Sequence, residues 1–352
     1  MASTDPPQDG LGPAPAPDGA PHRNLFDEQA RNRRATWLLI GGFVLFLAFL
    51  GFGFDLFVFG HDPWRPVSRG QVPIPFAASA ATLFGGASAW FGCRFGDRAV
   101  LASSFARPVA SDDQFAKVLM NVVTEMSIAS GLPMPRVYVV DDPDPNAFAT
   151  GRGPEHASIA VTTGLLMTMT RDELQGVVAH EMSHIRNFDI RKMTVVAALL
   201  GAVCLLSDWA SRVRLQGGRR RGRDDDGGRV SLGPLGLVVF VVWVLAIILA
   251  PLIGQVLATA VSRKREYLAD ASGAELTRNP LGLASALRKL EAATAPTARI
   301  ARGTAHLCID DPLDRRANDR EGWFADLTAT HPPIRDRIAR LEQMAYQGQE
   351  SR

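Results

Sequence analysis

Cysteine is scarce in this 352-residue chain: Cys93, Cys204 and Cys308 form no CxxC pair, and the first two stand in apolar stretches. That excludes a disulfide framework and a cysteine-caged zinc. Lysine is scarcer still, 4 residues against 34 arginines, a compositional bias with no functional reading. Net charge is only +2. An affinity built on phosphate neutralisation is therefore excluded, and nucleic acid is not an expected partner. Most telling is the lack of charge over long runs. A mean hydropathy of +0.03 and a charged fraction of 21% average over four nearly uncharged stretches and the Arg-, Asp- and Glu-rich segments between them. Such segregation excludes a simple soluble enzyme and a fibrous protein.

The four stretches are read as membrane helices at 36–60, 72–93, 193–211 and 230–262. Each is near or above the roughly 20 residues a bilayer requires. Residues 1–29 form a Pro- and Ala-rich tail without apolar periodicity, expected to be disordered. The tail has no apolar core of its own, and the first apolar stretch exceeds the 7–15 residues of a signal core.

Basic residues beside the spans set orientation. Arg23, Arg31, Arg33 and Arg34 precede the first stretch, and Arg94, Arg98 and Arg107 follow the second. Both ends of that hairpin are expected in the cytoplasm. The loop 212–229 between the third and fourth stretches is rich in Arg and Asp, against the positive-inside tendency if both segments span. A spanning hairpin is the preferred reading, with a re-entrant or shallow pair as the alternative.

The polar remainder, 94–192 and 263–352, is long enough for one catalytic domain split in two by the second hairpin. Asp113 to Ser130 reads as an amphipathic helix with Phe115, Val118, Leu119, Val122, Val123 and Met126 on one side. Arg136–Val140 and Ser158–Thr162 read as strands, and Thr170 with Glu173 as a capping box opening a helix through Lys192.

That helix carries His180-Glu181-Met182-Ser183-His184. Residues four apart share a helix face, so both imidazoles can reach one metal ion, and Glu181 can act as general base on a water beside it. The plain alternative is two histidines on a polar helix surface. Charged residues flank the motif on both sides, which places the site in water or at the membrane interface. Catalytic zinc takes a third protein ligand. Asp189, His156, His306, Glu266, Asp270, Glu275 and His331 are all candidates. Asp189 is expected to point away from the ligand face. Glu266 and Asp270 are four apart on one helix, so one could bind metal while the other orients an imidazole.

RDELQGVVAHEMSHIRNFDIR (171–191) and SRKREYLADASGA (262–274) resemble the paired signatures of HtpX-type membrane zinc endopeptidases. PNAFATG (145–151), AVTTGLL (160–166) and THPPIRDRI (330–338) fit the same pattern, so the resemblance covers about residues 30 to 345. It implies a multi-pass α-helical membrane protein with an α+β zincin-like (gluzincin) catalytic domain. It implies one Zn2+ per chain on His180, His184 and Glu266, with Glu181 as base and Asp270 orienting a ligand histidine. Asn146, Ala147, Phe148 and Ala149 fall on an edge strand expected to pair with substrate backbone. His331 falls where a histidine could stabilise the oxyanion, with Arg335 nearby.

The expected activity is endoproteolysis of membrane or misfolded proteins at the cytoplasmic face of a bacterial inner or plasma membrane, as quality control. Polypeptides and the lipid bilayer are the expected partners, and oligomeric state is not legible. Two alternatives stand beside it: a CAAX-type prenyl-protein processing protease, and a non-enzymatic zinc-binding membrane scaffold. An intact Glu181 argues against the second.

Overall fold

The computed structural model describes residues 25–59, 75–110, 116–202, 237–247, 263–293, 299, 304–310 and 332–350. The tail 1–24, the loop 212–229 and His331 lie outside these residues, as do Phe115 and most of the fourth apolar stretch.

Helix α1 (Leu25–Gly53) runs on through a π turn, Phe54–Val58. Its 29-residue portion Ala30–Val58 is long and apolar enough to cross a membrane, and among the described residues it is the only such helix. Helix α2 (Phe76–Ser103) begins just after Pro75, where a prolyl ring suits a helix start, and continues ten residues past the apolar stretch that predicted it. Asp55, buried near the end of α1, accepts hydrogen bonds from the Ala77 and Ala78 amides at 2.9 and 2.8 Å. Its carboxylate thus caps α2, satisfying backbone donors that an apolar setting would leave unpaired.

The third and fourth apolar stretches contribute helix α6 (189–202) and helix α7 (Leu237–Ile247) to the described structure. Helix α6 packs on α2, and Trp243 of α7 fits against Gly53 and donates Nε1–H to the Leu50 carbonyl at 3.0 Å. A Cβ at Gly53 would overlap the indole ring.

The polar part of the chain holds one four-stranded sheet in the order β1-β2-β4-β3, with β1 at Arg107–Pro108, β2 at Arg136–Val140, β3 at Ala147–Gly151 and β4 at Ala157–Thr162. The central β2–β4 pair is parallel, and both outer pairs are antiparallel. Strand β3 therefore ends the sheet, with Asn146 just before its first residue. Around the sheet pack α3 (Lys117–Ser130), the short α4 (Thr163–Thr168), α5 (Arg171–Arg186), α8 (Arg263–Thr277), α9 (Pro280–Ala292) and α10 (Ile334–Glu350).

Leu119, Val122, Val123 and Met126 of α3 meet Val137, Ile159 and Val161 of the sheet and Val177, Val178 and Met182 of α5 in one core. Val118, expected on that face, is instead exposed. The capping box at Thr170 and Glu173 forms as predicted. The predicted single helix through Lys192 does not. It stops at Arg186, and Phe188 takes a left-handed φ of 58°, uncommon for a residue with a Cβ, before α6 starts.

Candidate metal centre and active site

His180 and His184 project from α5 and Glu266 from α8, and one ligand atom of each lies within 4.8 Å of the others. All three are buried, not spread on a polar surface. Helix α8 can come this close because Gly273 faces α5; a Cβ there would stand 3.1 Å from the His180 backbone nitrogen.

The two Nε2 atoms are 3.2 Å apart, and the Glu266 carboxylate oxygens lie 3.5 Å from His184 Nε2 and 3.7 Å from His180 Nε2. Ligands about 2.0–2.2 Å from one tetrahedral ion are roughly 3.3–3.5 Å from each other. Two imidazoles and a carboxylate at these separations fit a zinc-type site, and the group could hold a metal ion.

Each histidine is steered from behind. His180 Nδ1 sits 2.9 Å from Asp270 Oδ1, and Arg337 clasps that carboxylate through Nε at 2.8 Å and Nη2 at 2.7 Å. Burial would raise the Asp270 pKa; Arg337 and His180 override it and hold the group at about 2. Arg337 is buried, donates Nη1–H to the Ile309 carbonyl at 3.0 Å and lies 3.9 Å from Glu266. A carboxylate behind each ligand imidazole fixes its tautomer and orientation.

The second carboxylate is Asp189. It was expected to point away, but the break at Phe188 turns the chain back so that Asp189 Oδ2 lies 3.3 Å from His184 Nδ1. Asp189 is fixed in turn by Arg265 Nη1 at 3.1 Å and by Asn32 Nδ2 at 2.9 Å. The same Asn32 amide donates to the Asn187 carbonyl at 3.1 Å. Burial opposes the charge on His184, yet Asp189, Glu266 and Glu181 raise its pKa to about 9. His180, by contrast, is held below the usual imidazole range by burial.

Glu181 is buried beside the ligands, and burial followed by the Glu266 charge pushes its pKa up to about 7 against the opposing pull of His184, the Ala149 backbone and Arg337. A carboxyl poised near neutrality is suited to taking and returning a proton.

The other candidates stand apart. His306 is buried but donates Nε2–H to the Met193 carbonyl at 3.1 Å; His156 and Glu275 are exposed. Arg335 is exposed and pairs with Glu291 at 2.8 Å. Along the outer edge of β3 lies a segment of the chain itself. Phe148 and Cys308 form an antiparallel bridge, Ile309 N–H donates to the Ala147 carbonyl at 2.9 Å, and Asn146 Nδ2 donates to the Asp310 carbonyl at 3.2 Å. Arg337 and Asn32 carried no weight in the sequence reading. Arg337 sits in the 330–338 motif two residues from the arginine that was considered. Asn32 has no local signal at all, being 157 residues from Asp189.

Residues 113–345 match peptidase family M48. The chain is 42% identical over 325 residues to "Protease HtpX homolog" of Caldanaerobacter subterraneus subsp. tengcongensis, covering 92% of this chain and 98% of that protein. It is 41% identical over 325 residues to the protein of the same name from Streptococcus gordonii, covering 91% and 100%. Among solved structures it is similar to the crystal structure of S. mikatae Ste24p, with a TM-score of 0.45 and 19% identity, over 90% of this chain and 66% of that one.

Proposed function

The chain belongs to peptidase family M48, in its HtpX-type branch, and is a metalloprotease; from that premise we propose that it is a membrane-anchored zinc endopeptidase acting on membrane or misfolded polypeptides at the cytoplasmic surface. The observation that carries the reading is the convergence of His180, His184 and Glu266 beside a buried Glu181 whose pKa is raised to about 7. His180, His184 and Glu266 hold one Zn2+. The ion, when bound, supplies Lewis-acid polarisation of the scissile carbonyl.

The chain's own groups do the rest. Glu181 takes a proton from the attacking water and passes it to the leaving amine. Asp270 and Asp189 keep the two imidazoles turned with Nε2 inward. Asn146, Ala147, Phe148 and Ala149 bind substrate as an added strand that takes the place of Cys308–Asp310 on this edge. The Ala147 carbonyl and Asn146 amide, which now engage Ile309 and Asp310, are the groups that such a strand would use. The oxyanion donor is assigned to His331 from the 330–338 motif.

Anchoring is assigned to Ala30–Val58, long and apolar enough to span, and to the uncharged runs of α2 and of the two stretches that feed α6 and α7. Asn32, four residues before the apolar run begins at Thr36, touches the residue behind His184, and this contact supports a metal centre close to the membrane surface. Sodium carbonate extraction of membranes containing the full chain, with protease accessibility of the catalytic domain from the cytoplasmic side, tests this placement. Release of the chain by carbonate, or digestion only from the opposite side, contradicts it.

A further inference from the structure

Apart from the metal centre, at the end of the sheet where β2 and β4 begin, lies a cavity of about 260 Å³ ringed by Arg94, Arg98, Arg136, Arg152 and His156. Asp97 and Glu155 also line it, so four guanidiniums face two carboxylates. One of the four is committed: Arg136 Nη2 pairs with Asp97 at 3.0 Å. Arg94 and Arg98 reach the rim from successive turns of α2, with guanidinium carbons 5.0 and 5.9 Å from the Phe95 ring centroid. Arg152 enters from the turn that follows β3, and His156 from the 3-10 turn Pro154–His156. Elements from three parts of the chain thus converge positive charge on one space. At roughly 30 Å³ per water, that space holds about nine waters, enough for a phosphate group and part of what it is attached to.

Its depth in the bilayer follows from α2. Arg94 directly succeeds the apolar stretch that ends at Cys93. One turn earlier Trp90 and Phe91 are 64% and 49% exposed, and both rings contact Phe95, with centroids 5.8 and 5.5 Å away. Exposed Trp and Phe with arginine behind them are what a helix presents at headgroup level, rings among the acyl ends and guanidiniums among phosphates. Arginine forks suit a phosphate, since each can donate two parallel hydrogen bonds.

We propose that this cavity binds the phosphate of an anionic phospholipid headgroup. The proposal rests on the membrane placement above and adds to it a ligand for which no role has been assigned. Bulk attraction between basic residues and an acidic surface needs no cavity. Here three elements fold together to make one, and one carboxylate within it is already used to hold Arg136 in place.

The test uses the full chain in detergent and native mass spectrometry, with phosphatidylglycerol, phosphatidylcholine and inorganic phosphate as probes. Wild type should bind phosphatidylglycerol selectively over phosphatidylcholine. The double variant Arg98→Gln/Arg152→Gln should bind it roughly 30-fold more weakly, the order expected for two lost basic contacts. A control pair, Arg171→Gln/Arg288→Gln, removes equal charge at exposed sites that face Glu125 and Glu342, and should bind as wild type.

Millimolar inorganic phosphate that displaces the lipid supports the phosphate chemistry; inorganic phosphate that binds the wild type equally well with no lipid preference overturns the lipid assignment. Equal phosphatidylglycerol binding by wild type and the Arg98/Arg152 variant overturns the site. If that variant misfolds by circular dichroism, Arg94→Gln with the same readout decides. Carbonate extraction of wild type is scored separately, so an anchored chain without headgroup selectivity sinks this proposal and leaves the membrane placement standing.

Discussion

Asn32, on the helix that carries the apolar N-terminal span, donates a 2.9 Å hydrogen bond to Asp189, the carboxylate that orients His184. A side chain at the foot of the membrane anchor therefore sits two contacts from the ligand atoms. Removing it should loosen Asp189 and with it the imidazole. Loss of a carboxylate behind a metal ligand costs roughly 10–100-fold in metal affinity. Asn32→Ala, one step further out, should weaken zinc binding by about tenfold, read by chelator competition. Asn32→Asp should do worse, since it places a second carboxylate against Asp189. Unchanged zinc affinity in both variants would mean that the anchor does not position the site.

Arg337 makes a stronger claim. It is the buried cation for Asp270 and is 1% exposed. Arg337→Met leaves that carboxylate buried without its partner, at a cost of about 3–5 kcal/mol. The double variant Arg337→Met/Asp270→Asn should recover much of this. Thermal unfolding of the three proteins checks it, and a double variant no more stable than Arg337→Met would show that the pair is not coupled.

Acid stability has a separate origin at Glu173. Burial would raise its pKa, but Lys289 and Ser285, both at 2.6 Å, and the Thr170 amide at 2.7 Å bring it down to about 2. A carboxylate depressed on folding adds stability above its unfolded pKa, here about 4.5, and that stability fades as pH falls towards 2. Allowing for the solvent around Lys289, the contribution is about 1–2 kcal/mol. Glu173→Gln should be less stable than wild type at pH 6, with the gap narrowed at pH 3 and nearly closed at pH 2, by denaturant titration. A constant gap across that range would contradict the assignment.

Much of this site was legible because its signals are local or paired. HExxH spacing puts His180 and His184 on one helix face by geometry alone, and Glu266 with Asp270 repeats the same four-residue step on α8. The strands at 136–140 and 157–162 and the Thr170 cap follow from residue preferences over a few positions. What escaped depends on the chain doubling back. Asp189 was misread because extending α5 as a regular helix carries residue 189 off the ligand face; the left-handed Phe188 undoes that. Arg337 and Asn32 act across 67 and 157 residues, and no periodicity encodes such contacts. The occupancy of the β3 edge by Cys308–Asp310 was equally invisible, since an isolated bridge leaves no alternating pattern.

The central claim is that His180, His184 and Glu266 hold zinc while Glu181 moves the proton. Zinc content and casein cleavage of the full chain in detergent, compared for wild type and Glu181→Gln, test it most directly. The account predicts equal zinc in both proteins and cleavage reduced by at least about 10²-fold in the variant, the range for loss of a general base. Cleavage by Glu181→Gln at the wild-type rate, with zinc retained, would contradict it.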